Sequence, residues 1–95
     1  MNGKIQIGQV VRSTSGRDHD RYFIVVGIVD YNNVLISDGK LRKIQKPKLK
    51  KVKHLHGTSA VSDNMDTINY KDLQSQDAFI RKELELLGYS NKREV

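Results

Sequence analysis

The 95-residue chain predicts a mainly β protein, a small curled antiparallel barrel followed by a C-terminal amphipathic helix. Three observations lead there. Short β-rich runs alternate with turn residues from Gly8 to about Ser37, one run is apolar on both of its faces, and a helical stripe of leucines and isoleucine appears only after residue 72. One domain is the expectation at this length, divided into a barrel over 1–57, a polar linker over 58–71 and a helix over 72–95 that packs on or beside the barrel.

Gln9-Val-Val-Arg-Ser13 reads as the first strand and Thr14-Ser-Gly16 as the turn that ends it. Tyr22-Phe-Ile-Val-Val-Gly-Ile-Val29 is the second, and with seven apolar residues in eight it has no polar side to show to water. Such a strand needs cover on both faces, the barrel interior on one and another element on the other. Gly27 inside it marks a bulge or a sharp bend. Asp30-Tyr-Asn-Asn33 supplies the next turn, because Asp and Asn bond to their own backbone, and Val34-Leu-Ile-Ser37 is the third strand. Asp38-Gly39 suits a two-residue hairpin turn, which predicts a fourth strand over Lys40-Leu-Arg-Lys-Ile-Gln45 ended by Pro47. A last strand is expected over Lys51-Val-Lys-His-Leu55. The expected core is Val10, Ile24, Val26, Ile28, Val34, Ile36, Leu41 and Ile44.

Beyond the linker, Asp72 or Ser75 can cap a helix that runs through Leu87 and stops at Gly88. Leu73, Ile80, Leu84 and Leu87 form one stripe, whose task is to cover the second apolar face of the long strand. Asp77 with Arg81, and Arg81 with Glu85, are expected as surface pairs one helical turn apart. Asn91 to Val95 should fray.

Charge carries the functional expectation. Residues 1–57 hold 12 basic and 4 acidic side chains, a net +8, whereas residues 58–95 hold 5 and 7, a net -2. Eight of the twelve cations fall between Lys40 and Lys53, with no acid among them. No core requires such a cluster, and a polyanion relieves its self-repulsion by releasing condensed counterions. The plain alternative is a solvated edge, because lysines on exposed strands also deter edge-to-edge aggregation. The expectation is nucleic acid. Lys40, Arg42, Lys43, Lys46, Lys48, Lys50, Lys51 and Lys53 are the candidate phosphate contacts, with Pro47 stiffening their loop. Arg17 and Arg21 in the first turn form a second edge, and Asp18 orients that turn or pairs with a neighbouring arginine. Tyr22 and Tyr31 border these loops and are the candidates for stacking on an unpaired base; a half-buried rim tyrosine is the alternative for each.

The segment Gly8-Gln-Val-Val-Arg-Ser-Thr-Ser-Gly-Arg-Asp-His-Asp-Arg-Tyr-Phe-Ile-Val-Val-Gly-Ile-Val-Asp30 resembles a KOW motif. Its continuation, Asn33-Val-Leu-Ile-Ser-Asp-Gly-Lys-Leu-Arg-Lys-Ile-Gln-Lys-Pro-Lys48 with Lys53-His-Leu55, is similar to the eukaryotic large-subunit ribosomal proteins numbered fourteen and their small Gram-positive relatives. Together they span about residues 5 to 56. The resemblance implies an SH3-like barrel that binds structured RNA in association with ribosomes. It departs from the family at Asp20, where the motif often has a second glycine. If that site needs positive φ, Asp20 is strained; if it lies near phosphate, its charge repels.

Other chemistries have less support. Cysteine is absent, which excludes disulfides, thiolate metal sites and thiol nucleophiles. His54 and His56 lack an evident third ligand, so no metal and no cofactor is expected. No nucleophile elbow or glycine-rich phosphate loop is present, and a binding protein is expected rather than an enzyme. No apolar stretch approaches the roughly 18 residues that span a bilayer, and the basic run lacks the helical clustering of a lipid-binding segment. The expected setting is cytoplasmic, with the free protein a monomer. The competing expectation is a module that docks on proteins of the transcription or translation machinery through its helix stripe or its basic loop.

Overall fold

The computed structural model describes residues 5–67 and 72–91, and for residues 67 and 73–75 the backbone alone. Five strands, β1 (Gln9–Ser13), β2 (Tyr22–Asp30), β3 (Asn33–Ser37), β4 (Lys48–Lys51) and β5 (Leu55–Val61), precede one helix, α1 (Leu73–Leu86). The strands form one antiparallel sheet in the order β4-β3-β2-β1-β5.

That order and a single short connection force the sheet to curl. Lys51 ends β4 opposite Asn33, near the far end of β2, while Leu55 begins β5 opposite Ser13, near its start. In a flat sheet the two edge strands alone would stand roughly 19 Å apart, four strand spacings. The chain joins them by the 3-10 turn Val52–His54, which advances only about 2 Å per residue. The sheet must therefore bend its edges toward each other. Irregularities accompany the bending: the register of β2 with β3 shifts between Val25 and Gly27 and again between Ile28 and Asp30, and that of β1 with β5 between Gln9 and Val11. Gly27 stands where expected, and the space its missing Cβ leaves is taken by Leu35, whose Cδ1 would lie 3.2 Å from such an atom.

Curling separates two apolar clusters, one on each side of β2. Phe23 and Val25 point inward with Val11, Val34 and Ile36, closed off by Ile5, Val52 and Leu55. Ile24 and Val10 point outward into a second cluster with Ile44, Ile80 and Leu84, flanked by Tyr22, Val26, Phe79, Leu87 and Tyr89. The helix thus covers the second face of the long strand, as its stripe predicts. Each fully buried Val, Ile or Phe stabilises the fold by about 1.5–3 kcal/mol, so both clusters are needed in a chain this short. Of the expected stripe, Ile80 and Leu84 are buried and Leu87 is half-buried; the side chain of Leu73 lies outside the described residues.

The helix ends as Gly88 suggests. With φ +89 at Gly88, the N–H of Tyr89 reaches the carbonyl of Leu84 and that of Gly88 the carbonyl of Glu85, the paired bonds of a Schellman motif. The chain is then fixed again. Asn91 accepts from the Tyr22 N–H at 2.8 Å and donates to the Tyr22 carbonyl at 2.6 Å, so fraying does not begin at Asn91; residues 92–95 lie outside the described part. At the start, Asp72 stands just before the helix, whereas Ser75 lies within it.

Several sequence expectations are corrected. Residues 40–45 form no strand, and Pro47 precedes β4 instead of ending a strand. Asp38 is the reason. Its Oδ1 accepts the N–H groups of Lys40 and Arg42, and the Arg42 carbonyl accepts from Asp38 N, Gly39 N and the Ser37 hydroxyl, so local bonds consume the groups a ladder would use. Residues 51–55 also divide differently, Lys51 closing β4 and Leu55 opening β5. Of the linker expected over 58–71, residues 58–61 belong to β5, with Gln9 opposite Val61, and residues 68–71 lie outside the described part. Ile28 and Leu41, expected in the core, are 47% and 59% exposed: Ile28 lies beyond the bend, and Leu41 sits on the turn that Asp38 builds. Val26 is half-buried.

Candidate nucleic-acid interface

The lysine-rich segment divides into a loop, residues 38–47, held between the first turn and the helix, then β4 and the 3-10 turn that carries Lys53. On the helix side, Asp77 is buried and its Oδ1 accepts the Ile44 N–H at 2.8 Å, while Arg81 Nη1 donates to the Gly39 carbonyl. The surface pairs expected of Asp77 and Arg81 give way to these longer-range bonds, because both side chains face the loop. Gly39 makes the approach possible. Its φ is +74, and a Cβ there would lie 2.3 Å from the Asp77 carbonyl oxygen.

On the other side the loop meets the 3-10 turn Gly16–Asp18. Arg42 Nε and Nη2 both donate to Oδ2 of Asp18, at 3.2 and 3.1 Å, and Arg21 Nη2 donates to Oδ2 of Asp38 at 3.1 Å. Both carboxylates are nearly sealed from water, so each would be costly without its arginine. Lys50, 8% exposed, lies on the inner face of β4 with its Nζ 3.0 Å from the Ser15 carbonyl. Arg17, one residue before Asp18, is therefore flanked by the loop through Arg42 and by β4 through Lys50.

This divides the expected contact residues into two groups. Arg21, Arg42 and Lys50 are engaged by internal partners, which sets them apart from the other expected phosphate contacts. Tyr22 leaves the stacking pair as well, since its half-buried ring lies against Tyr89 with centroids 4.9 Å apart. Arg17, Lys40, Lys43, Lys46, Lys51 and Lys53 are exposed and Lys48 is half-buried. None of these seven has a carboxylate partner among the described residues. Lys48 pairs with Ile36 on one face of the sheet edge and Lys51 with Asn33 on the other, so β4 carries a free ammonium group on each face. Tyr31, at the β2–β3 turn, is 94% exposed.

The organising acids escaped the sequence expectation, apart from Asp18. All four acids of residues 1–57 are engaged: Asp18 with Arg42, Asp38 with Arg21, Asp20 with Arg12 and His19, and Asp30 with its own turn. A sparse acid beside a turn glycine in a basic region, as in Gly16-Arg-Asp18 and Asp38-Gly39, is the signal that points to such a role. Asp20 does adopt the left-handed conformation, with φ +68, an arrangement Asp tolerates better than most residues. Its Oδ1 accepts from Arg12 Nη1 at 3.0 Å, which offsets its charge. At the other turn, the Asn32 N–H and then the Asn33 amide hold the Asp30 carboxyl below the usual aspartate range.

A cleft of about 210 Å³ opens where the loop meets the helix, lined by Arg21, Lys40 and Arg81 but also by Asp38 and Glu85. Its mixed charge offers far less to an anion than the exposed band. His54 belongs to a 3-10 turn and His56 to β5, and no group of three potential metal ligands gathers among the described residues. No described helix is long and apolar enough to cross a membrane. The described residues thus form a small mainly β domain with one covering helix and seven cations that have no carboxylate partner among them. No known family model matches the chain, and no curated protein matches it.

Proposed function

We propose that this protein binds structured RNA through phosphate contacts made by Arg17, Lys40, Lys43, Lys46, Lys48, Lys51 and Lys53, and that it acts in the cytoplasm in association with ribosomes. It is a binding protein with no catalytic role, monomeric when free. One observation carries the proposal: the Asp18–Arg42 and Ser15–Lys50 contacts gather the first turn, the loop and β4 while using only the half-buried Arg42 and the buried Lys50. Among the described residues, the seven remaining cations meet no carboxylate. Duplex RNA displays phosphates and sugar hydroxyls and hides its base edges in a deep groove, so a surface of this kind reads shape more than sequence. The strand order and the 3-10 turn between β4 and β5 support an SH3-like barrel of the KOW kind, in keeping with the motif at residues 8–30.

Counterion release tests it. If about five of the seven cations contact phosphate, the log of affinity for an RNA duplex falls with log salt at a slope of roughly -4 to -5. Replacing Lys43, Lys46 and Lys51 by Gln together flattens that slope by roughly 2 to 3. A triple variant with unchanged affinity and slope refutes the assignment.

A second function has its own observation. Leu41 on the loop and Leu86 on the helix are 59% and 69% exposed, apolar area that suits a protein partner of the translation or transcription machinery. Association with ribosomes or RNA polymerase that survives nuclease digestion would select it.

A further inference from the structure

The β2–β3 turn holds up an aromatic ring that the described protein does not cover. Tyr31 is 94% exposed, and a turn of this kind is formed as readily by small polar residues. The backbone beneath the ring is fixed. Asp30 Oδ1 accepts the Asn32 N–H at 2.8 Å and the Asn33 amide at 2.9 Å, and the Asn32 carbonyl accepts the Val52 N–H at 2.8 Å. The tip is thereby tied to the connection between β4 and β5, so docking a ligand there orders little that is not already ordered.

What surrounds the tip decides the chemistry of that ligand. Asn33 pairs with Lys51, which places the lysine on the same face of the sheet edge as Asn33, beside the turn, and exposed Lys53 follows in the 3-10 turn that Val52 anchors to Asn32. One row further along that face Leu49, 55% exposed, lies opposite Leu35. An aromatic face, two ammonium groups and an aliphatic side chain match a splayed nucleotide, with its base on the ring and its phosphate on the lysines. Asp30 sets the orientation. Its charge beside Tyr31 disfavours a phosphate over the ring and leaves the uncharged base to go there. A purely apolar peptide would gain nothing from the two lysines, so charge complementarity favours the nucleotide.

We infer that Tyr31, Lys51 and Lys53 form a subsite for an unpaired nucleotide, so that the RNA ligand is a stem bearing a loop or bulge and not an uninterrupted duplex. This rests on the RNA-binding function proposed above and specifies its ligand. The full chain is titrated at one salt concentration with a fully paired RNA duplex and with the same stem closed by an adenosine-rich loop. Wild type, Tyr31→Ala, Tyr31→Phe and the Lys43→Gln/Lys46→Gln variant are compared. Tyr31→Ala is expected to lose roughly 5- to 150-fold in affinity for the looped RNA, to bind the duplex as wild type does, and to be rescued by Tyr31→Phe. Tyr31→Trp adds a direct readout, because its fluorescence should quench on the looped RNA only. The ring lies outside both clusters, so an unchanged melting curve accompanies the binding loss. If Tyr31→Ala binds both RNAs as wild type does while the lysine variant loses both, the subsite is refuted and RNA binding stands. If wild type binds neither RNA, both proposals fail.

Discussion

Gly39→Ala should destabilise the protein far more than Gly88→Ala, although both glycines have a left-handed backbone, φ +74 and +89. At Gly88 an added Cβ would meet nothing within 4 Å, so the substitution carries only the conformational strain, about 1 kcal/mol. At Gly39 the same strain is joined by a clash. The new atom would lie 2.3 Å from the Asp77 carbonyl oxygen and 3.0 Å from Arg81 Cγ. A helix carbonyl cannot swing aside, so the loop must lift from the helix. Lifting strains or breaks the buried Ile44 N–H bond to Asp77 Oδ1 and the Arg81 bond to Gly39, each charge-assisted and worth about 1.5–3 kcal/mol. With partial relaxation the total loss is roughly 3–5 kcal/mol. Thermal melts followed by circular dichroism read the contrast. The expected fall in Tm is roughly 4–8 °C for Gly88→Ala and at least about 12 °C for Gly39→Ala. Equal falls would show that the loop and helix are not docked as described, and the support claimed for the basic loop would go with them.

The two remaining predictions concern the acids that organise the interface. Arg42→Gln leaves Asp18 buried without its cation and should cost about 2–3 kcal/mol, less than for a wholly buried pair because the guanidinium keeps some contact with water; Lys43→Gln should stay within about 0.5 kcal/mol. Urea unfolding checks this, and equal midpoints would contradict the division between supporting and contacting cations. Asp30 predicts the acid response of the β2–β3 turn. Its carboxyl is depressed by the Asn32 N–H first and the Asn33 amide next, so its contribution is complete above the unfolded-state pKa and is lost as pH falls through the lower folded-state value. The Asn32 amide resonance should titrate with a midpoint below that of Asp in an unfolded peptide of the same sequence; a midpoint at or above it would contradict the described bonds.

Residues with one dominant local preference announced themselves. The apolar run at 22–29 read as a strand covered on both faces, which holds for Phe23 to Val25, while Ile28 and Val29 beyond the bend are exposed; Gly27 marked that bend, because a glycine there leaves the space that Leu35 occupies. Gly88 closed a helix whose Ile80 and Leu84 fill the outer cluster. The errors gather where a side chain had to choose among partners. Asp38-Gly39 has the composition of a hairpin turn, yet Asp38 binds the backbone ahead of it and receives Arg21 from another turn, which makes a loop of the expected strand. Asp77 and Arg81 have the spacing of a surface pair, yet each bonds to the loop.

The density of positive charge between Lys40 and Lys53 was therefore a property of the chain alone, since it is written in the order of the residues. Which of those charges remain available was a matter of three dimensions. Arg42 is occupied by Asp18, twenty-four residues away, and Lys50 by the Ser15 carbonyl, thirty-five away. Contacts of that span depend on how the sheet curls, and a carboxylate takes whichever cation the folded backbone brings within reach.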